Sequence, residues 1–240
     1  MAANVAVIVP QYKEELSDDD AISLRHLLTH LGERERYVVV PESLRNPLEG
    51  FRVLRYPDRF FTGRARFGTL LMRSGFYRNF ASYEHVLVHH LDALVLSDRL
   101  DEFCAGAYDY VGAPWIDAGW IEGPAVGNGG FSLRRVEACL KVLESRRYAL
   151  GGPEWNWRAI GPRQRGAIRY RRGGHCDIFW SFDAPKRHPE FRIAPVEAAL
   201  RFAWELRPRV CLELAGGELP FGCHGWTRSS REFWEPHLLG

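Results

Sequence analysis

Five apolar residues in a row, Val5-Ala6-Val7-Ile8-Val9, constrain what this chain can fold into more than any other feature of it. Successive side chains of a strand point to opposite faces, so a strand that is apolar at every position has to be covered on both. The β-branched residues suit extended backbone, and Pro10 closes the run because it has no N–H to give to a ladder. Residues 37–40, closed by Pro41, and residues 85–88 repeat the pattern, and residues 51–56 and 108–111 are further candidate strands. Between them the period changes. Ser17 reads as an N-cap followed by three aspartates, which suit the positive end of a helix dipole. Ile22, Leu24, Leu27, Leu28 and Leu31 form an apolar stripe that Gly32 ends. Residues 66–83 read as a second helix, with Leu70, Leu71, Phe76, Tyr77 and Phe80 on its apolar face and Gly75 weakening it. Strand and helix in alternation predict an α/β fold, a mostly parallel, mixed central sheet flanked by helices.

The second half is less regular. Gly and Trp crowd residues 112–130, which read as loop, and residues 151–174 read as a polar, arginine-rich loop. Residues 94–96 extend, Asp98 is placed to cap a short helix ending at Cys104, residues 131–133 and 210–214 are strand candidates, and residues 136–148 and 177–182 are helix candidates. A chain of 240 residues fits one domain, divided at about residue 115 into a nucleotide-binding half and an acceptor-facing half. Thirty-two basic and 30 acidic residues leave a net charge of +2, which argues against a nucleic-acid partner. The five arginines within residues 163–172 read either as a solvated loop or as a clamp for a diphosphate or an anionic acceptor. Five cysteines are an odd number without a CxxC spacing, so reduced thiols in a cytoplasmic protein are expected, with no disulfide framework or zinc ribbon. The N-terminal residues lack a basic stretch before their short apolar run, and no apolar run approaches the roughly 20 residues of a membrane span.

Four segments carry candidate chemistry. In open α/β sheets ligands sit beyond the carboxyl ends of the strands, where His89-His90-Leu91-Asp92 falls. His90 and Asp92, two apart, face the same way on extended backbone, and an imidazole with a carboxylate can hold a divalent cation and through it a diphosphate. Taken alone, the same pair reads slightly better as a capping aspartate beside a packed histidine. Gly127-Asn128-Gly129-Gly130 offers positive φ and close approach of a ligand, with the Asn128 amide free for a sugar hydroxyl, or else it is a tight turn before a strand. Asp177, set among aromatic residues, is a carboxylate suited to general base work or an N-cap. His224, between small residues in Phe221-Gly222-Cys223-His224-Gly225-Trp226, is placed to reach a metal or phosphate or simply to pack. Tryptophans such as Trp115, Trp120, Trp155, Trp157 and Trp226 can stack on a glycan or build core.

Taken together these segments resemble a family of uncharacterised glycosyltransferase-like proteins of bacteria and fungi. The resemblance runs through VAVIVPQYK (5–13), YRNFASYEHVLVHHLDALV (77–95), YDYVGAPW (108–115), GNGGFSLR (127–134), DIFWS (177–181) and LPFGCHGW (219–226). It implies a GT-A fold and transfer of a sugar from a nucleotide-sugar donor to a glycan, glycolipid or other hydroxyl acceptor, as in polysaccharide assembly. GT-A enzymes usually carry an Asp-x-Asp that binds Mn²⁺ or Mg²⁺. His90-Leu91-Asp92 stands at that place with its first acid replaced, and His224 matches a further C-terminal metal ligand. Cys176-Asp177 resembles the Glu-Asp pair of inverting enzymes with the glutamate lost, leaving Asp177 as catalytic base. Pro10, Gln11 and Tyr12 would touch the nucleotide base, Asn128 would belong to the donor site, and Gly129 and Gly130 would line the donor sugar or the acceptor. A non-catalytic nucleotide-sugar- or glycan-binding module and a metal-dependent phosphoesterase are the competing readings.

Overall fold

The computed structural model describes residues 3–116, 125–145 and 175–239. The first apolar run becomes strand β1 (Val5–Pro10), flanked in parallel by β2 (Glu35–Pro41) on one side, with β3 (Arg52–Tyr56) beyond it, and by β4 (His85–His89) on the other. Past β4 lies β9 (Phe131–Arg135), antiparallel to it, and then β6 (Tyr110–Gly112), so the sheet order is β3-β2-β1-β4-β9-β6. The unbroken apolar sequence of β1 has the predicted cause. Ala6 and Ile8 enter one core with Val86, Val88 and Tyr77, while Val5, Val7 and Val9 enter the other with Leu87, Phe131 and Leu133. Each such side chain taken from water contributes roughly 1.5–3 kcal/mol, which makes the double coverage a strong fold determinant.

Helix α1 (Asp18–Leu31) begins as predicted at Ser17, whose hydroxyl accepts from Asp20 N while the Asp20 carboxylate accepts from Ser17 N. Its inner face differs from the apolar stripe, however: Leu27 and Leu31 are buried, but so are Ser23 and His26, and Leu28 is 40% exposed. Ser23 Oγ donates to Ala93 O. His26 Nδ1 lies 2.9 Å from Val95 O while its Nε2 accepts from Leu239 N. The helix is thus docked on strand β5 (Ala93–Val95) by hydrogen bonds as well as by leucines.

The helix expected at residues 66–83 is two short ones, α2 (Arg64–Leu70) and α3 (Ser74–Arg78). The Tyr77 hydroxyl donates to Leu71 O at 3.1 Å across the break, and the bend lets Phe67, Leu70, Phe76, Tyr77 and Phe80 all reach one core. A straight helix of that length would turn part of this set to solvent. Asp98 does not cap α4 (Leu100–Cys104), whose N-cap is Arg99 without a side-chain cap. The stretch taken as loop contains β7 (Pro114–Trp115), paired with β8 (Ala125–Val126), and Trp115 is 4% exposed within it. Of the helix expected at 136–148, residues 136–145 are described, and helix α5 (Val136–Leu143) ends before Glu144 and Ser145. The arginine-rich stretch 151–174, with Trp155 and Trp157, and also Trp120, lies outside the described residues.

The chain resumes in a helical segment, Cys176–Ile178, that widens into a π-helical turn at Phe179–Asp183 and tightens again at Ala184–Arg187. Trp180 is fully buried there, stacked on Phe191 at 5.4 Å and edge-on to Tyr77. Beyond the helix Val196–Phe202, β10 (Ala203–Trp204) and β11 (Gly222–His224) join β5 in a second sheet of order β10-β11-β5. The strand expected at 210–214 is instead part of a helix, Pro208–Leu214: Cys211 is buried while Leu214 is 56% exposed. Pro208 in the first turn supports it, and a short apolar run by itself fits either structure. All five cysteines are free and buried, and no helix among the described residues is long and apolar enough to cross a membrane.

Candidate functional site

Strand order reverses at β1, which has β2 on one side and β4 on the other, and such a reversal opens a crevice at the carboxyl ends of the strands. A cavity of about 600 Å³ lies there. Its wall includes Pro10, Gln11 and Tyr12 after β1, His90 and Asp92 after β4, Asn128, Gly129 and Gly130 before β9, and Asp177 and His224. All the site residues picked from sequence therefore border one space, although they span more than 200 positions of the chain.

Each is placed by its backbone. Antiparallel pairing of β4 and β9 sets His89 opposite Phe131, and His90 N donates to Gly130 O at 2.8 Å, so the glycine turn abuts the end of β4. The positive φ in that turn falls at Asn128 (φ 70), not at a glycine. Asn128 Oδ1 accepts from Gly130 N (2.9 Å) and Phe131 N (3.0 Å), and its amide nitrogen faces His224, so this buried side chain serves the protein rather than standing open to a sugar hydroxyl. The glycines are needed for proximity: a Cβ on Gly130 would collide with the His224 ring, and one on Gly129 would stand 2.8 Å from Cys176 Sγ. Gln11 is likewise turned inward, donating to Lys13 O and Asn46 O and accepting from Leu48 N, which fixes the loop and leaves Tyr12, 62% exposed, at the cavity edge.

His224 is the hub. Its Nε2 lies 3.1 Å from Asp92 Oδ1 and its Nδ1 2.9 Å from Glu205 Oε1. Burial works against charge on this ring, yet the two carboxylates outweigh it and lift its pKa to about 9. Burial would raise Asp92 and Glu205, but contact with His224, with Arg228 adding its charge, holds both below the usual carboxylate range. The Arg228 guanidinium is 2.8 Å from Asp92 Oδ2. His90, by contrast, is pushed down to about 3, chiefly by burial and then by the neighbouring His224. Asp177 accepts from Ile178 N at 2.9 Å, and burial raises its proton affinity. Sequence reasoning missed Glu205 and Arg228. The only trace of Arg228 is a cation four residues past His224, and nothing in the sequence marks Glu205.

These residues fit a divalent cation. One ligand atom each from His90, Asp92 and His224 fall within 4.8 Å of one another, and His90 Nε2 and His224 Nε2 are buried without a hydrogen-bond partner. Two imidazole nitrogens and a carboxylate suit Mn²⁺ better than Mg²⁺, which prefers oxygen.

The same architecture occurs in glycosyltransferases. A galactosyltransferase, LgtC, solved with donor and acceptor sugar analogues, matches with a TM-score of 0.56 at 11% identity, over 97% of this chain and 94% of that one. A glycosyltransferase involved in glycosylation of the major capsid of PBCV-1 matches at 0.51 and 13%, over 98% of both chains. Mouse xyloside xylosyltransferase 1 matches at 0.51 and 15%, over 92% of this chain and 97% of that one. The fold is thus glycosyltransferase-like, a GT-A arrangement of a mixed, mostly parallel sheet flanked by helices. By sequence, a family model described as protein of unknown function (DUF5672) matches residues 50–224, and the chain belongs to that family. No curated protein matches it in sequence.

Proposed function

We propose that the chain transfers a sugar from a nucleotide-sugar donor to a hydroxyl acceptor, with inversion, using Asp177 as general base. The observation that carries this reading is the meeting of a cation-ready cluster, His90, Asp92 and His224, with a partly desolvated carboxylate, Asp177, on one cavity at the switch point of the sheet. A raised proton affinity is what a base needs in order to take a hydroxyl proton near neutral pH. His90, Asp92 and His224 would hold the divalent cation, which when bound offsets the charge that builds on the departing nucleoside diphosphate. Arg228, on the same wall, adds fixed positive charge there, and preorganised charge of this kind is usually the largest catalytic contribution.

Tyr12 presents its ring to the nucleotide base, while Gly129 and Gly130 let the sugar come close to the backbone. Asp177 takes the proton of the acceptor hydroxyl as its oxygen bonds to the anomeric carbon. The bond from that carbon to the diphosphate oxygen breaks, the electron pair leaving with the nucleotide. One displacement inverts the centre. A cytoplasmic site of action accords with the free thiols.

Asp177→Asn should lower kcat by about 10²–10⁴-fold with donor affinity unchanged, measured by nucleoside diphosphate release in the presence of acceptor. Full turnover by that variant would remove Asp177 from the role. Hydrolysis of simple phosphoesters by the wild type, without sugar transfer, would favour a phosphoesterase instead.

A further inference from the structure

The small sheet β10-β11-β5 sets three polar side chains side by side from three distant parts of the chain. Parallel pairing of β10 with β11 places Trp204 beside Cys223, so Glu205 follows next to His224. Antiparallel pairing of β11 with β5 places His224 beside Ala93, so Asp92 lies on its other flank. The outcome is a row, Glu205–His224–Asp92, with Nδ1 of the ring 2.9 Å from one carboxylate and Nε2 3.1 Å from the other.

The two contacts are not equivalent. Nδ1 meets Glu205 Oε1 in hydrogen-bonding geometry, whereas Nε2, despite its distance from Asp92, has no hydrogen-bond partner. Asp92 is also shared with Arg228 at 2.8 Å. Asn128 Nδ2 stands 2.9 Å from Nδ1 as well, and its identity as nitrogen is fixed because Asn128 Oδ1 accepts two backbone N–H groups. Glu205 Oε1 lies at the same 2.9 Å from Nδ1 and is an acceptor, however, while Nε2 has no hydrogen-bond partner to hold a proton. In the neutral ring, the form that can bind a cation, the proton therefore belongs on Nδ1. We infer that Glu205 is a positioning residue for the cation site: it holds the Nδ1 proton of His224, fixes the ring, and so turns the Nε2 lone pair toward the space shared with His90 and Asp92. Carboxylate–histidine–metal arrangements work in this way, the outer carboxylate setting the tautomer and raising the basicity of the ligating nitrogen. The inference rests on the proposed transferase site only in locating the cation there.

The probe is Mn²⁺ alone, its free concentration followed by electron paramagnetic resonance in titrations of the wild type, Glu205→Gln, His224→Ala and the double variant. Glu205→Gln should weaken Mn²⁺ binding by about 10–100-fold, and the double variant should bind no more weakly than His224→Ala. Unchanged affinity in Glu205→Gln, the same loss in both backgrounds, or no Mn²⁺ binding by the wild type would each overturn the inference. Should Glu205→Gln fail to fold, nitrogen-15 spectra of the metal-free wild type decide without a variant, recorded at a pH above the His224 pKa of about 9 where the ring is neutral: a protonated Nδ1 with a bare Nε2 supports the assignment, and the reverse contradicts it. A chain that shows the Mn²⁺ coupling but turns over no nucleotide sugar keeps this inference and loses the transferase reading. Sugar transfer without any Mn²⁺ binding does the reverse.

Discussion

His224 and the two histidines at the end of β4, His89 and His90, are held in opposite states by their surroundings, and that opposition has a measurable consequence. Carboxylates on both flanks of His224 raise its pKa to about 9, so the unfolded chain, with an ordinary value near 6.5, binds its proton less well. The stability this gives is complete below pH 6.5 and is lost as pH rises toward 9. His89 and His90 are driven the other way by burial, to about 4 and about 3. For them the unfolded chain binds protons better, so stability falls as pH drops from 6.5 through those values. Urea unfolding of the metal-free protein should therefore peak near pH 6.5 and decline on both sides. His224→Gln should flatten the alkaline decline, and should alter the acid limb as well because His90, Asp92 and Glu205 all lose a charged neighbour. An alkaline limb unaltered in that variant would mean that the ring is not paired as described.

At the scale of elements, the start of α1 is where local sequence and structure agree most closely. Ser17 and Asp20 form a capping box that also holds Lys13, whose Nζ lies 3.0 Å from Asp20 Oδ2 on the cavity wall. Ser17→Ala should cost about 1 kcal/mol of stability in chemical denaturation, the usual value of a lost N-cap. A change near zero would show that Lys13 and the aspartates hold the turn without it. The long strands were legible for the same reason as the cap: β1, β2 and β4 declare themselves in a few neighbouring residues. The split between α2 and α3 was not, because it depends on where Phe67 and Tyr77 must point. Nor was the helix Pro208–Leu214, since Val210 to Leu214 contains too few residues for periods of 2 and 3.6 to be told apart. Asn128 was singled out for the wrong duty, because only the fold shows that its amide is bound on both sides.

For the molecule as a whole, one cavity draws on both sheets. The large sheet delivers His90 and Asp92 at the end of β4, and the small sheet carries His224 and Glu205 to meet them. Motifs in the sequence named the cation-ready part of the wall, since glycines, histidines and carboxylates at strand ends are unusual enough to notice. Glu205 escaped notice because a two-residue parallel pairing leaves no periodic signal. For these residues to act together, a donor diphosphate has to occupy this space. The most direct measurement is thermal unfolding against a panel of nucleotide sugars, with and without Mn²⁺, for the wild type and Asp92→Ala. One donor should stabilise the wild type, by about 2.7 kcal/mol at a hundredfold excess over its Kd, more strongly with Mn²⁺ present, and Asp92→Ala should lose that gain. No stabilisation by any nucleotide sugar, or equal stabilisation of Asp92→Ala, would contradict it.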